Sequence, residues 1–124
     1  MDTSDAKCLT EIPMAVLVNA DSYSAAEFFA AALEEYEAAV TVGQPTTGKG
    51  YFQTAIRLSD GSAVRLSVGR YTTPNGVSLA DVGGLVPAIR VDVDDETYAA
   101  ISAGILDPAE DPQIQAALEV LADR

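Results

Sequence analysis

The 124-residue chain contains no histidine. That absence removes the usual base of Ser-His-Asp and Cys-His sites together with the commonest metal ligand, so any acid-base chemistry must rest on another side chain. Cysteine is nearly absent as well: Cys8 alone cannot close an internal disulfide and reads as an unpaired thiol without a role. Basic residues are scarce, 7 against 19 acidic, and the resulting net charge of -12 repels phosphate backbones and anionic membrane surfaces. Nucleic acid is therefore not an expected partner. No apolar run approaches the roughly 20 residues that span a bilayer, and the opening Met1-Asp2-Thr3-Ser4-Asp5 lacks the basic start of a signal peptide. What is present, 48% hydrophobic and 21% charged residues, is the balance of one soluble globular domain with a single core.

Residues 1–11 are polar and patternless, and read as a flexible leader. An apolar, partly β-branched run over residues 12–18 predicts a short buried strand. Residues 24–37 are rich in alanine, with Phe28, Leu33 and Tyr36 among glutamates, and predict a helix opened by a serine cap. A second short strand is expected over 40–42, and the Gly- and Pro-containing stretch 43–50 is expected to be a loop. Residues 52–58 and 63–68 alternate apolar with polar around the turn signal Ser59-Asp60-Gly61-Ser62, which predicts a β-hairpin. A strand over 88–93, a helix from Asp95 and a last helix over 111–121 complete a mixed α/β arrangement.

Two chemical patterns are rejected. Gly43 to Lys49 matches the G-x-x-x-x-G-K core of a phosphate-binding loop, but Gly50 stands where a magnesium-holding hydroxyl is needed and a strand, not a helix, is expected to follow. The acidic run Asp92, Asp94, Asp95 and Glu96 lacks the glycine turn and spacing of a calcium loop, and reads as a strand end and helix start where acids suit the dipole. Neither a metal nor a cofactor is expected.

A different constellation carries chemistry. A serine at the start of a helix, just beyond a strand, places its hydroxyl beside backbone N–H groups that stabilise an oxyanion. Ser24 and the Ala25 amide fit that description. A hydroxyl needs a base before it attacks, and without histidine the base must be a lysine whose environment favours the neutral amine. The chain has only Lys7, in the polar leader, and Lys49, between two glycines and beside Tyr51 and Phe52, which are placed to exclude water. Gln53 is placed to orient the amine by a hydrogen bond. On residue types alone the plainer readings stay open: Ser24 as a helix cap, and Lys49 as a solvated loop lysine.

The motifs in which these residues sit resemble those of the carboxyl-terminal processing peptidases, or tail-specific proteases, serine endopeptidases with a Ser-Lys dyad (family S41). Pro13-Met14-Ala15-Val16-Leu17-Val18-Asn19 followed by Ser22-Tyr23-Ser24-Ala25-Ala26-Glu27 is similar to the family's strand and nucleophile segment, S-x-S-x-S-E. Gly48-Lys49-Gly50 and Gln53 are similar to its G-K-G-x-x-Q segment, and the step from Ser24 to Lys49 matches the family's own. Further similarity lies in 58–63, 70–76, 84–87 and 111–118. Ala26, Asp21 and Ala88 depart from the usual serine, glycine and aspartate.

The resemblance implies Ser24 as nucleophile, Lys49 as general base supported by Gln53, and the Ala25 N–H as an oxyanion donor. It implies a layered ClpP/crotonase-like α/β core with a mixed sheet, a β-hairpin and flanking helices. Residues 12–124 are then the C-terminal part of the peptidase core, without the PDZ-like module and upstream oxyanion loop of longer relatives. It further implies polypeptide substrates with unstructured C-termini, a possible homo-oligomer, and a bacterial cell-envelope, periplasmic or extracytoplasmic setting. The rival from another class is a non-catalytic ligand- or protein-binding module on the same fold, with a scaffolding or dimerisation piece pairing through an exposed edge as a third reading.

Overall fold

The computed structural model describes residues 12–123. The leader expected over 1–11, with Lys7 and Cys8, lies outside the described residues. The elements run β1 (Ala15–Val18), α1 (Ala25–Glu35), β2 (Val40–Gly43), β3 (Tyr51–Arg57), β4 (Ala63–Arg70), α2 (Leu79–Val82), β5 (Ile89–Arg90), α3 (Asp95–Ser102) and α4 (Pro112–Ala122).

A β-branched strand, an alanine-rich helix and a second β-branched strand build a parallel unit. β1 and β2 pair in parallel with Ala15 opposite Val40 and Val18 opposite Gly43, and β5 adds to the far side of β2, giving the order β1-β2-β5. Thr41 and Val42 are both fully buried although they point to opposite faces of the strand, so both faces of β2 are covered. The helices packed against it are α1 and α4. Ala30, Ala31, Val18, Val42 and Ala117 form the centre of this small core, and the alanines of α1 let the helix approach the sheet closely. The buried Thr41 hydroxyl is satisfied: it donates to Glu34 and accepts the Ala88 N–H at 2.9 Å.

The strand expected over 88–93 pairs for only two residues, Ile89 with Val42 and Arg90 with Gly43. The reason lies in its partner, because β2 ends at Gly43 and the Val91 N–H takes the last available carbonyl, that of Gly43, at 2.8 Å. The Pro74-Asn75-Gly76 turn is followed by a short helix, α2, that no periodicity signals in a four-residue stretch. The acidic run divides as expected: Asp92 pairs with Arg90 at 2.8 Å, and Asp94 caps α3 by accepting the Thr97 N–H at 2.8 Å. That hydrogen bond holds the Asp94 carboxyl below its ordinary range.

Strands β3 and β4 form a separate two-stranded antiparallel ribbon with a bulge at Phe52/Gln53. Phe52 folds over Gly69 and meets Tyr71, which in turn meets Phe28 of α1, with ring centroids 5.4 and 5.9 Å apart. This aromatic chain ties the base of the ribbon to the first helix.

Gly43 sits at φ +129°, and a Cβ there would overlap the Val18 carbonyl. Gly43→Ala is expected to destabilise the protein by at least about 2 kcal/mol, read as a lower urea midpoint. An unchanged midpoint would show that the β1–β2 crossing tolerates a side chain.

Candidate active site

Ser24 ends the turn between β1 and α1 in a backbone conformation that L-residues rarely adopt, φ 60° and ψ -122°. Such strain costs about 1–3 kcal/mol and persists only where surrounding contacts impose it. A serine on a sharp, strained strand-to-helix turn is a device that pushes Oγ clear of the backbone. The hydroxyl faces the Glu27 amide as in a capping box, yet it closes no cap hydrogen bond of ordinary geometry. The neighbouring Ala25 N–H, first in α1, has no acceptor among the described residues.

The contacts that impose this conformation converge on Glu27, which is completely buried. Its Oε2 accepts the Ser24 N–H at 2.7 Å and the Lys49 N–H at 2.9 Å, while Oε1 accepts the Gly48 N–H and the Thr46 hydroxyl, each at 2.5 Å. One carboxyl group therefore joins the serine turn to the lysine loop. Thr47 adds a second link, its hydroxyl donating to the Ala20 carbonyl at 2.6 Å and its N–H to the Ser22 carbonyl at 3.1 Å. Behind the loop, Gly48 presses against Gly83 and Gly84, where a Cβ would come within 2.8 Å of backbone. The glycine is needed at φ +82° and at that approach.

The structure brings Ser24, Lys49 and Gln53 to one recess of about 190 Å³, lined also by Tyr51, Phe52, Arg65 and Tyr71. No hydrogen bond joins Ser24 Oγ to Lys49 Nζ among the described residues; the amine stands 5.4 Å from the centroid of the Tyr23 ring. Gln53 Nε2 approaches Ser67 Oγ across the ribbon at 3.5 Å instead of the amine. Lys49 is exposed, and the expected water exclusion by its aromatic neighbours is not achieved by them, since Tyr51 and Phe52 are themselves 42% and 39% exposed. A two-stranded ribbon covers the recess from one side only. A larger recess of about 250 Å³ lies on the other flank of α1, lined by Ala31, Thr73 and Leu79 among others, and holds none of these groups. No cluster of metal-ligating side chains occurs among the described residues, and no helix there is long and apolar enough to cross a membrane.

Asp21, at a position where glycine is usual in the resembling motif, does not adopt a positive φ. It fits the turn without backbone strain: its N–H bonds Asn19 Oδ1 at 2.9 Å, and its carboxylate accepts the Tyr98 hydroxyl of α3 at 2.7 Å.

Known proteins share this α/β core. Residues 1–91 match the description of peptidase family S41. The chain belongs to that family. It is 36% identical over 119 residues to a carboxyl-terminal-processing protease of Synechocystis sp., covering 96% of this chain and 26% of the relative. It is 40% identical over 83 residues to the carboxy-terminal processing protease CtpA of Bacillus subtilis, covering 67% of this chain and 18% of the relative. Among solved structures, a photosystem II D1 C-terminal processing protease superposes with a TM-score of 0.61 at 42% identity, over 64% of this chain and 20% of the other. Mature CPAF complexed with lactacystin shares the fold, with a TM-score of 0.64 at 21% identity, over 90% and 21% of the two chains. The chain thus spans about a quarter or less of the length of these relatives.

Tyr23 and Glu27 lie in the nucleophile segment without a role read for them from the sequence, and Thr46, Thr47 and Arg65 have none read for them either. For Glu27 a signal existed, since Ser24-x-x-Glu27 has capping-box spacing; the threonines and Arg65 are joined to the site only by tertiary contact.

Glu27→Ala leaves four donors facing a void and is expected to cost about 3 kcal/mol or more, measured by chemical denaturation; a loss below about 1 kcal/mol would mean the donors find other partners. A pH test concerns Tyr98. The hydrogen bond to Asp21, then burial and the Asp21 charge, raises its phenol above the ordinary value. The tie is therefore complete below about pH 10 and lost as pH rises through the raised value. In an ultraviolet titration, Asp21→Ala should bring one phenol down to ordinary titration; an unchanged curve would contradict the bond.

Proposed function

We propose that this chain supplies the nucleophile and base of a serine endopeptidase that hydrolyses peptide bonds near protein C-termini. The observation that carries the reading is the strained Ser24, held by Glu27 against the loop that bears Lys49, with both side chains opening into one recess. Membership of family S41 supports it. In the proposed reaction the neutral Lys49 amine takes the Ser24 proton as Oγ attacks the scissile carbonyl. The Ala25 N–H stabilises the oxyanion, the amine side departs with a proton from Lys49, and water then hydrolyses the acyl-enzyme. Gln53 supports the lysine once a bound substrate draws it from Ser67. Substrates are polypeptides with unstructured C-termini, the setting is extracytoplasmic or lumenal, and subunits can associate.

Full catalysis needs residues beyond these 124. One oxyanion donor contributes about 10²- to 10³-fold in rate, and a second must come from elsewhere, as must the cover that dries Lys49. The exposure of Lys49, and an amine that lies over the Tyr23 ring with no hydrogen bond to Ser24 among the described residues, favour a second reading, a non-catalytic binding module.

The two readings separate on variants. In the intact protein containing these residues, Ser24→Ala and Lys49→Ala should each reduce cleavage of a denatured substrate to background. Lys49→Arg should not rescue, because a guanidinium stays charged. The 124 residues alone should react poorly with a serine-directed probe. Wild-type cleavage by Ser24→Ala or Lys49→Ala would refute the dyad and leave the binding reading.

A further inference from the structure

The basic residues of this acidic chain are not spread evenly. Arg70 and Arg90 are paired with Asp81 and Asp92 at 2.9 and 2.8 Å, and Lys7 and Arg124 lie outside the described residues. That leaves Lys49, Arg57 and Arg65 with no acidic partner among the described residues. All three belong to the lysine loop and the ribbon that follows it. Neither β3 nor β4 contains a single Asp or Glu, in a chain that carries 19.

Strand register sorts the ribbon into two faces. Gln53 stands opposite Ser67, Ala55 opposite Arg65 and Arg57 opposite Ala63, so these six residues share one face; Thr54, Ile56, Val64 and Leu66 share the other. Gln53 and Arg65 both line the recess with Ser24 and Lys49, which orients the polar face toward the site. The cross-strand partners of both arginines are alanines, too short to reach a guanidinium or to screen it. Arg65 thus presents an unpaired fork of donors beside the nucleophile, with Arg57 diagonally behind it.

Resting on the Ser24–Lys49 reading, we propose that Arg65, backed by Arg57, is a specificity-determining residue that pairs with a carboxylate of the polypeptide substrate next to the scissile bond. A planar guanidinium matches a carboxylate in two parallel hydrogen bonds. The local positive strip also offsets, at the site alone, the repulsion that a charge of -12 exerts on an acidic segment. The carboxylate has two possible sources, the free C-terminus itself or an Asp or Glu side chain.

The test uses the intact enzyme and two matched peptide pairs, one differing in a free C-terminal carboxylate against its carboxamide, the other in Asp against Asn beside the cleaved bond. The charged member of one pair should be preferred, chiefly through KM. Arg65→Gln should lower that preference, as the ratio of kcat/KM values, by about tenfold, and Arg65→Lys should restore part of it. The pair whose ratio falls names the carboxylate. Ratios that Arg65→Gln leaves unchanged in both pairs, with thermal midpoints equal to wild type, would overturn the proposal. Fluorescence anisotropy of the same peptides on Ser24→Ala protein, with and without Arg65→Gln, gives an answer independent of turnover. Cleavage at wild-type rate by Ser24→Ala would overturn the dyad alone; the binding ratio would still decide the role of Arg65, a fall supporting it and constancy sinking it.

Discussion

A single carboxyl group, that of Glu27, gathers four of the hydrogen bonds that join two segments about twenty residues apart in the chain, and the two Thr47 bonds to Ala20 and Ser22 add to them. It is fully buried, and it accepts from the Ser24 turn on one side and from Thr46, Gly48 and Lys49 on the other. Burying such a group is costly unless its lone pairs are occupied. Here four donors occupy them, and each donor would itself be unsatisfied without the acceptor. The cost of separating the two segments is therefore shared among all the partners. A polar network of this kind is stable only when complete, which makes the geometry of the site close to all-or-none.

The strain at Ser24 follows from the same constraint. A φ of 60° in a serine would relax in an isolated peptide. The 2.7 Å bond from its N–H to Glu27 orients the peptide plane before α1 begins, and the Thr47 links pin the preceding turn at Ala20 and Ser22. Fold and site are joined here: β1 ends where the turn must start, the buried alanines of α1 set the helix against the sheet, and Gly43 allows β2 to leave the sheet into the lysine loop. The recess is then closed on one side by the ribbon, whose polar face carries Gln53 and Arg65.

Much of this was legible in the sequence because it is local. The alternation of 52–58 and 63–68 matches the ribbon, and the alanine-rich run matches α1 within two residues of its ends. The loop at 43–50 and the helix start at Asp94 and Asp95 follow from residue types whose preferences act within a few positions. What was not legible depends on partners distant in sequence. The length of β5 is set by where β2 stops, and the companionship of Thr46, Thr47 and Arg65 with Ser24 is set by the crossover. Glu27 stands between these cases. Its capping-box spacing was visible, but three of its four bonds reach across about twenty residues to a loop with no pattern of its own.

Native-state hydrogen exchange, resolved by residue, tests this account most directly. The amides of Ser24, Gly48 and Lys49 all donate to one acceptor, so they should exchange slowly and through a common opening. In Glu27→Ala all three should become fast while the β2 amides keep their protection. Independent rates in the wild type, or protection that survives removal of the carboxyl group, would contradict a Glu27-centred site.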